Sequence, residues 1–598
     1  MAFYKSGDSV NAIVADLGSY ASKIGYAGED YPRSYFRSNV GVLREESSDE
    51  RSPGRRRSIQ KVNYDTLNRP ADPSSDTDGE WEVANPVNLT TGLWYEPGTV
   101  GGGEGGGSSS YNANESKAGS RGHHNDNADW SDLIPTFLRH GYSSALGIES
   151  SSGAESDITS QNPLLMVERS YNPPAIRQQL LEILMEECRV PATFFGRDAT
   201  MACYACGRTT STVIDVGYSG TTVSPVYDGY VEQRGVRRAP IGTEAMDELS
   251  LKQLHKLMKE LQIRKKIRKK DHRPLMPLWQ VRYPEAERKN AFKRLSLLQI
   301  AKDCRESGSG QAINTLASAA LQVPSMSYCL PDGSVVDVPS TGRFSVAELA
   351  VGSKAALDEK EDLTNLRDEH LDRVRKDFEE LLEIASADDD GDNEDGNDNS
   401  GGNQNGGNDD DQGRQDRRRQ AGKYTESAAL GISTSRRGTK RGRKAATEES
   451  GKPTRQQTTK VRFDNRILQR ACAPYLETTF EQLTASPVAN MVVDAAYRCD
   501  REQQAGVLGN VILAGGGACI GPTDQSVPDS LKEQIETIIH AHTPGWRVKM
   551  LSPGMQERAI ASWLGGSILG SLGTFHEMWI SKAEYDEWGC SIVNRKCP

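Results

Sequence analysis

Short β-branched runs alternate along this chain with stretches of helical apolar spacing, and polar gaps separate them. Ile13-Val14-Ala15-Asp16-Leu17 is an apolar run interrupted by one acid; Gly18-Ser19-Tyr20 and a return run, Ala21–Tyr26, follow. Thr212-Val213-Ile214-Asp215-Val216 repeats the plan, with Gly217-Tyr218-Ser219-Gly220 ahead of Thr221-Thr222. Both read as β-hairpins. Leu164–Glu168 and Ala192–Phe195 read as further strands, while Pro174–Cys188, entered through Pro173, and Ala199–Cys206 read as helices. Trp130, Leu133, Ile134, Phe137 and Leu138 have the spacing of an amphipathic helix over 130–148. A third strand-to-glycine turn follows at Asn510–Ala518. This alternation predicts α/β layers.

Two long gaps break the pattern. Residues 44–129 are rich in Ser, Asn, Gly and Asp, and 386–460 pass from Asp388-Asp-Asp-Gly-Asp to a basic stretch at Arg436–Lys444. Such composition buries too little apolar area to offset chain entropy, so both are expected to be disordered insertions. The stretch 436–444 fits a basic nuclear-import signal, with an unspecific polycation loop as the alternative. A third basic run, Ile263–Lys270, continues a helical pattern from Ser250 and reads either as a solvated face or as a contact for an acidic partner.

The totals agree with domain sequence mixed with polar filler: 598 residues, 36% hydrophobic, 57 glycines and a net charge of −11. An acidic balance argues against nucleic-acid binding by bulk charge. The N-terminus lacks an apolar secretory core, and the apolar stretch Ile560–Leu572 is glycine-broken and too short to span a bilayer, so no membrane role is expected. Ten scattered cysteines suit a reducing compartment; Cys203 and Cys206 have half a zinc spacing but sit in a helical pattern, as small core residues would.

A hairpin turn with glycine can present backbone N–H groups to phosphate oxygens, and its Asp can hold a hydrated divalent cation. One Asp-x-Gly turn is commonplace. Two, heading two halves of a chain, suggest facing clamps on a triphosphate. The glycines of the third turn permit close approach of a flat ring or sugar.

Longer strings carry a family resemblance. Tyr204–Thr210, Trp563–Phe575 and Trp579–Cys597 resemble the actin superfamily. Asp16–Tyr20, Gly25–Asp30, Val323–Gly333, Gly506–Gly516 and Arg595–Pro598 are most like its nuclear actin-related branch, subunits of chromatin-remodelling and histone-acetyltransferase complexes. The resemblance implies an α/β, actin-like (RNase H-like) fold of two lobes about a nucleotide cleft. Residues 8–43 and 130–225 would form the first lobe, with 556–598 returning to it; 226–385 and 461–555 would form the second. It implies ATP with Mg2+ or Ca2+ as cofactors. Asp16, Gly18, Ser19, Tyr20 and Lys23 would line the first phosphate loop, and Asp215, Gly217, Tyr218, Ser219 and Gly220 the second. Asp16 and Asp215 would hold the metal through water. Gly515 and Gly516 would seat the adenosine, and Arg305 and Glu306 would reach adenine and ribose.

Hydrolysis is not expected, and no catalytic residue is assigned. The family positions its attacking water with a Gln and a His; Asp198 and Thr222 stand there in this chain. Tyr20 is bulkier than the Gly of the family's first loop, and Tyr218 stands where the family's second loop has an acid. Tyr204, Ala205, Gly207, Thr209, Ile568, Leu569, Leu572 and Thr574 would line a groove for a partner helix. Implied partners are nuclear actin, the helicase–SANT-associated helix of a remodeller ATPase and other chromatin-complex subunits, with histones a further candidate, all in the nucleus. The contrasting expectation is an ATP-hydrolysing, filament-forming cytoskeletal protein, against which the long insertion at 44–129 weighs sterically.

Overall fold

In a computed structural model of the chain, the described residues are 12–45, 57–62, 82–85, 87, 92–93, 130–146, 162–284, 290–309, 324–352, 361–386, 479–520 and 525–598. Strands β1 (Ile13–Leu17), β2 (Ala21–Tyr26) and β3 (Ser34–Arg37) form an antiparallel meander. Strands β4 (Val40–Glu45), β5 (Arg57–Val62) and β6 (Glu82–Ala84) form a small separate sheet. Strands β7 (Leu164–Glu168) and β8 (Ala192–Arg197) then add to β1 in parallel.

The same plan recurs downstream. Strands β9 (Ser211–Val216) and β10 (Thr221–Tyr227) pair antiparallel, with β11 (Tyr230–Val231) and β12 (Arg237–Ala239) on β10. After the hairpin of β13 (Met326–Cys329) and β14 (Val335–Val338) come β15 (Asn510–Ala514), parallel to β9, and β16 (Lys549–Leu551), parallel to β15. Strand β17 (Ile580–Ser581) returns to the first sheet beside β8. Three antiparallel strands followed by two parallel ones, built twice, define the two lobes. Register places Asp16 opposite Lys23 in one hairpin and Asp215 opposite Thr222 in the other.

Each lobe has its own core. Ile13, Leu17, Leu165, Leu180 and Trp563 belong to the first; Ile214, Val223, Val492, Leu513 and Ile535 belong to the second. Seven helices among the described residues matter for the site: α1 (Trp130–Gly141), α2 (Pro174–Glu182), α3 (Asp198–Ala205), α4 (Thr243–Arg264), α5 (Asn290–Cys304), α6 (Glu361–Ser386) and α7 (Ala561–Ser571). The short α3 connects β8 of one lobe to β9 of the other. Its Ala199, Ala202 and Cys203 pack with Val213, Ile512 and Ala561 in a small core at the junction. Helix α6 also bridges, with Leu363 and Leu366 in the second core and Leu371, Val374 and Phe378 in the cluster continuous with the first.

The glycines of α7 have a packing reason. A Cβ at Gly565 would fall on the Met201 carbonyl of α3, and one at Gly566 would meet Val14 Cγ1 at 3.0 Å. One turn before them, buried Trp563 donates Nε1 to the Val14 carbonyl at 3.1 Å. The chain end is anchored beneath the same lobe: Arg177, paired with Glu168 at 2.7 Å, donates to the Cys597 carbonyl.

Two expectations need correction. The segment 44–129 is not wholly a disordered insertion, because β5 and β6 pair with β4 and Asn85, Val87 and Leu93 pack into the body. The basic run 263–270 does not continue its helix. Helix α4 stops at Arg264, Lys266 takes φ +55, and Arg268 pairs locally with Asp271. The acidic stretch at 388, the basic stretch 436–444 and the rest of 387–478 lie outside the described residues.

Gly565→Ala is expected to destabilise the first lobe by about 1–3 kcal/mol, the usual range for overpacking a close crossing. Gly573→Ala, whose Cβ would meet nothing within 4 Å, serves as the control. Thermal midpoints compare them; equal midpoints would refute the close-crossing account.

Candidate functional site

The two hairpin turns have matching backbone frames. The Gly18 N–H donates to the Ala21 carbonyl at 3.1 Å, and the Gly217 N–H donates to the Gly220 carbonyl at 3.0 Å. The second loop is also tied to α4, whose Thr243 and Glu244 N–H groups donate to the Gly217 and Tyr218 carbonyls, both at 3.0 Å. The first loop is tied from outside its lobe's sheet, since Asn85 donates Nδ2 to the Ser19 carbonyl at 2.8 Å. After β15, Gly515 has φ +93, and a Cβ there would collide with the Asp215 carboxylate and the Val216 carbonyl. Only glycine fits. Gly516 beside it is exposed, with nothing within 4 Å of where its Cβ would stand. The structure therefore brings the three glycine turns to one place.

Five charged groups converge between the lobes. Lys23 Nζ lies 2.7 Å from Asp16 Oδ2. Arg169, the first residue after β7, places Nη1 3.6 Å from Asp198 Oδ2 and 3.9 Å from Asp215 Oδ2. Burial works against the Lys23 charge, but Asp16 outweighs it and holds the ammonium above its usual value. Burial opposes the Arg169 charge too; the surrounding Tyr171, Asp198, Asp16 and Asp215 hold it firmly protonated. Burial pushes the Asp198 carboxyl up, offset in part by Arg169 and by its hydrogen bonds. Burial and then the Asp198 charge push Asp215 up to about 6.

Asp198 is a structural acceptor here. Its Oδ1 takes the Ser170 N–H at 2.9 Å, the Ala199 N–H at 2.7 Å and the Ser170 hydroxyl, while Oδ2 faces Arg169. Thr222, nearly buried, stands opposite Asp215 on β10. Neither residue offers an imidazole or amide to orient water.

Across the cleft the two loops touch. The Tyr20 and Tyr218 rings lie 5.2 Å apart, tilted at 50°. Lys302 Nζ sits 5.3 Å from the Tyr20 ring, and Arg37 donates to the Tyr20 hydroxyl at 2.7 Å. Arg238 of β12 reaches the Ser219 carbonyl at 3.3 Å and stacks over Tyr171 of the other lobe at 5.6 Å.

Arg305 and Glu306, the residues expected at adenine and ribose, both carry protein ion pairs. Arg305 is buried in the second lobe with Nε 2.8 Å from Asp247, and exposed Glu306 pairs with Lys302 at 2.7 Å. Asp247 neutralises the Arg305 charge, which leaves Lys302 as the residue of this stretch that reaches the phosphate loop. Sequence reading also missed Arg169, Arg238 and Asn85. Arg169 had a usable signal, because ligands of α/β sheets bind beyond the carboxyl ends of parallel strands.

The donors suit a nucleoside triphosphate: Lys23 and Arg169 stand at the glycine turns for the phosphates, and Gly516 leaves an open face. For a divalent cation held through water, Asp16 and Asp215 are the carboxylates of the two hairpins, and each also faces a protein cation; among the described residues no three His, Cys, Asp or Glu side chains group as direct metal ligands. At the groove, Ile568 and Leu572 are 39% and 49% exposed; Gly207, Thr209 and Thr574 are exposed, and Tyr204, Ala205 and Leu569 are half-buried beside the crossing of α3 and α7. Cys203 is buried and Cys206 half-buried, both free thiols. Among the described residues no helix is long and apolar enough to cross a membrane.

A duplicated five-strand core, a hinge helix and paired glycine hairpins are the marks of an actin-type fold. Residues 7–598 match the family described as Actin, and the chain belongs to that family. Over 99% of its length and 99% of theirs, it is 24% identical to proteins named actin-related protein 4 from Oryza sativa subsp. indica and from Arabidopsis thaliana. A protein of that name from Mycosarcoma maydis is 23% identical over the same shares.

The raised Asp215 value predicts a pH effect. Its folded value, about 6, exceeds the ordinary 3.8, so the folded state binds the proton more tightly than the unfolded chain. Ionisation of Asp215 thus weakens the ligand-free fold as pH rises from 3.8 through about 6, and acid strengthens it over that window. Melting midpoints against pH should lose that component in Asp215→Asn; an identical profile would contradict the buried, crowded carboxylate.

Proposed function

We propose that this protein is a non-hydrolysing, ATP-bound scaffold subunit of nuclear chromatin-remodelling and histone-acetyltransferase complexes. ATP closes the two lobes about the hairpin loops, and the groove beside α3 and α7 docks on a helix of the remodeller ATPase next to nuclear actin. The observation that carries the reading is the contrast within one cleft. The phosphate-loop frame is complete, while Asp198 is committed to Ser170, Ala199 and Arg169 and Thr222 replaces a ring nitrogen. Phosphoryl transfer to water depends on positioning, so a site without water-orienting groups holds its nucleotide unchanged. Similarity along the whole chain to proteins named actin-related protein 4 supports the scaffold role over a filament role.

Single-turnover incubation with γ-labelled ATP tests the first half. Phosphate release should not exceed that of a protein-free control; release at the rate of a filament-forming actin would overturn it.

The groove yields a separate test. Ile568→Asp and Leu572→Asp place charge on exposed positions, so each should change stability by no more than about 0.5 kcal/mol. Affinity isolation of the tagged variants, read by mass spectrometry, should lose the remodeller ATPase and nuclear actin together. Undiminished recovery of both would remove the groove from the interface.

A further inference from the structure

The basic run at the end of α4 takes no part in the nucleotide site, yet it forms an ordered corner. The helix stops as the Ile267 N–H donates to the Gln262 carbonyl at 3.0 Å and the Lys266 N–H to the Ile263 carbonyl at 2.9 Å. Buried Gln262 then clamps the returning chain: its Nε2 donates to the Arg273 carbonyl at 2.7 Å, and its Oε1 accepts the Arg273 N–H at 3.1 Å. A helix stop of this kind ordinarily has glycine at its residue of positive φ. Here Lys266 holds φ +55, so a cation is kept where the backbone favours glycine.

From Lys256 to Arg273 the chain carries nine Lys or Arg against two acids, and all nine are exposed. Among the described residues only Arg268 of the nine has an acidic partner, Asp271 at 2.7 Å. The carbonyl end of α4 accounts for cations in its last turn. It does not account for Lys269, Lys270 and Arg273, which lie beyond that turn. Charge this dense repels itself and opposes folding, so an acidic partner is what would offset it. Two apolar side chains stand among the cations, Ile263 at 66% and Ile267 at 38% exposure. A phosphate backbone gives such side chains little to pack on, whereas a peptide with apolar residues between its acids meets both kinds. The acidic stretch 388–411 of this chain has no apolar side chain, which points to a different molecule.

We propose that this corner is a docking surface for an acidic segment of another protein, one that carries apolar residues between its carboxylates. The cations speed and orient the encounter, and the isoleucines select among acidic sequences. The inference stands apart from the nucleotide reading, since no residue of the corner belongs to the glycine turns.

Fluorescence anisotropy of the full-length protein tests it, with a labelled peptide of glutamates carrying two leucines a helical turn apart. Binding should weaken as salt rises. The same peptide with serine in place of leucine should bind about ten-fold more weakly, and Ile263→Ser should cost about ten-fold for the leucine peptide, the effect of leaving one apolar side chain uncovered. The double variant Lys269→Glu, Lys270→Glu should lose about ten-fold or more. All three positions are exposed, so melting midpoints equal to that of the unaltered protein verify folding. Equal binding of the serine peptide, tighter binding of a random DNA duplex or of phosphatidylserine vesicles, or no binding of the leucine peptide would each overturn the proposal.

Discussion

Three carboxylates, carried by β1, β9 and the first turn of α3, meet where the two lobes face each other. Burial and mutual repulsion make this arrangement unfavourable unless positive charge is placed among them. Lys23 meets one of them directly, and Arg169 stands between the other two without reaching hydrogen-bond distance of either. The cleft thus holds three carboxylates against two fixed cations, and Lys23 and Arg169 are placed at the glycine turns where phosphate oxygens could also reach them. The high value of Asp215 is the same imbalance seen from the acid's side.

That electrostatic centre sits on an unusually interlocked frame. Helix α3 passes from one lobe to the other at the site itself, α7 presses glycines against it, and α6 contributes side chains to both cores. Tyr20 and Tyr218 close the gap between the phosphate loops with aromatic contact. An enzyme that turns over nucleotide needs this gap to open and close and needs a positioned water. A subunit whose role is to present a fixed surface gains from the opposite, a cleft held shut around a nucleotide that stays intact. The proposed non-hydrolysing role draws on the Asp198 and Thr222 side chains and on the Tyr20–Tyr218 contact across the cleft.

The duplicated hairpin plan was legible in the sequence because β-branched runs, a single acid and glycine turns are local signals. Strands β7, β8 and β15 and helix α3 were legible for the same reason. The family strings then singled out both hairpin turns, which the structure brings together. Arg169 was not legible, since its meaning depends on β7 lying next to β1 and on Asp215 arriving from a strand of the other lobe. The pairing of Arg305 with Asp247 was not legible, because helical spacing cannot tell which of two nearby cations faces inward and Asp247 is distant in sequence. Strands β5 and β6 were hidden by the polar composition of their segment, and it is backbone pairing with β4 that places them.

The account stands on an adenine nucleotide bridging the hairpins unhydrolysed. Acid extraction of the purified full-length protein, followed by ion-exchange chromatography of the released nucleotide, measures this directly. About one ATP per chain, retained through purification, is the result expected. Protein that is folded and free of nucleotide, or that carries only ADP after loading with ATP, would contradict it.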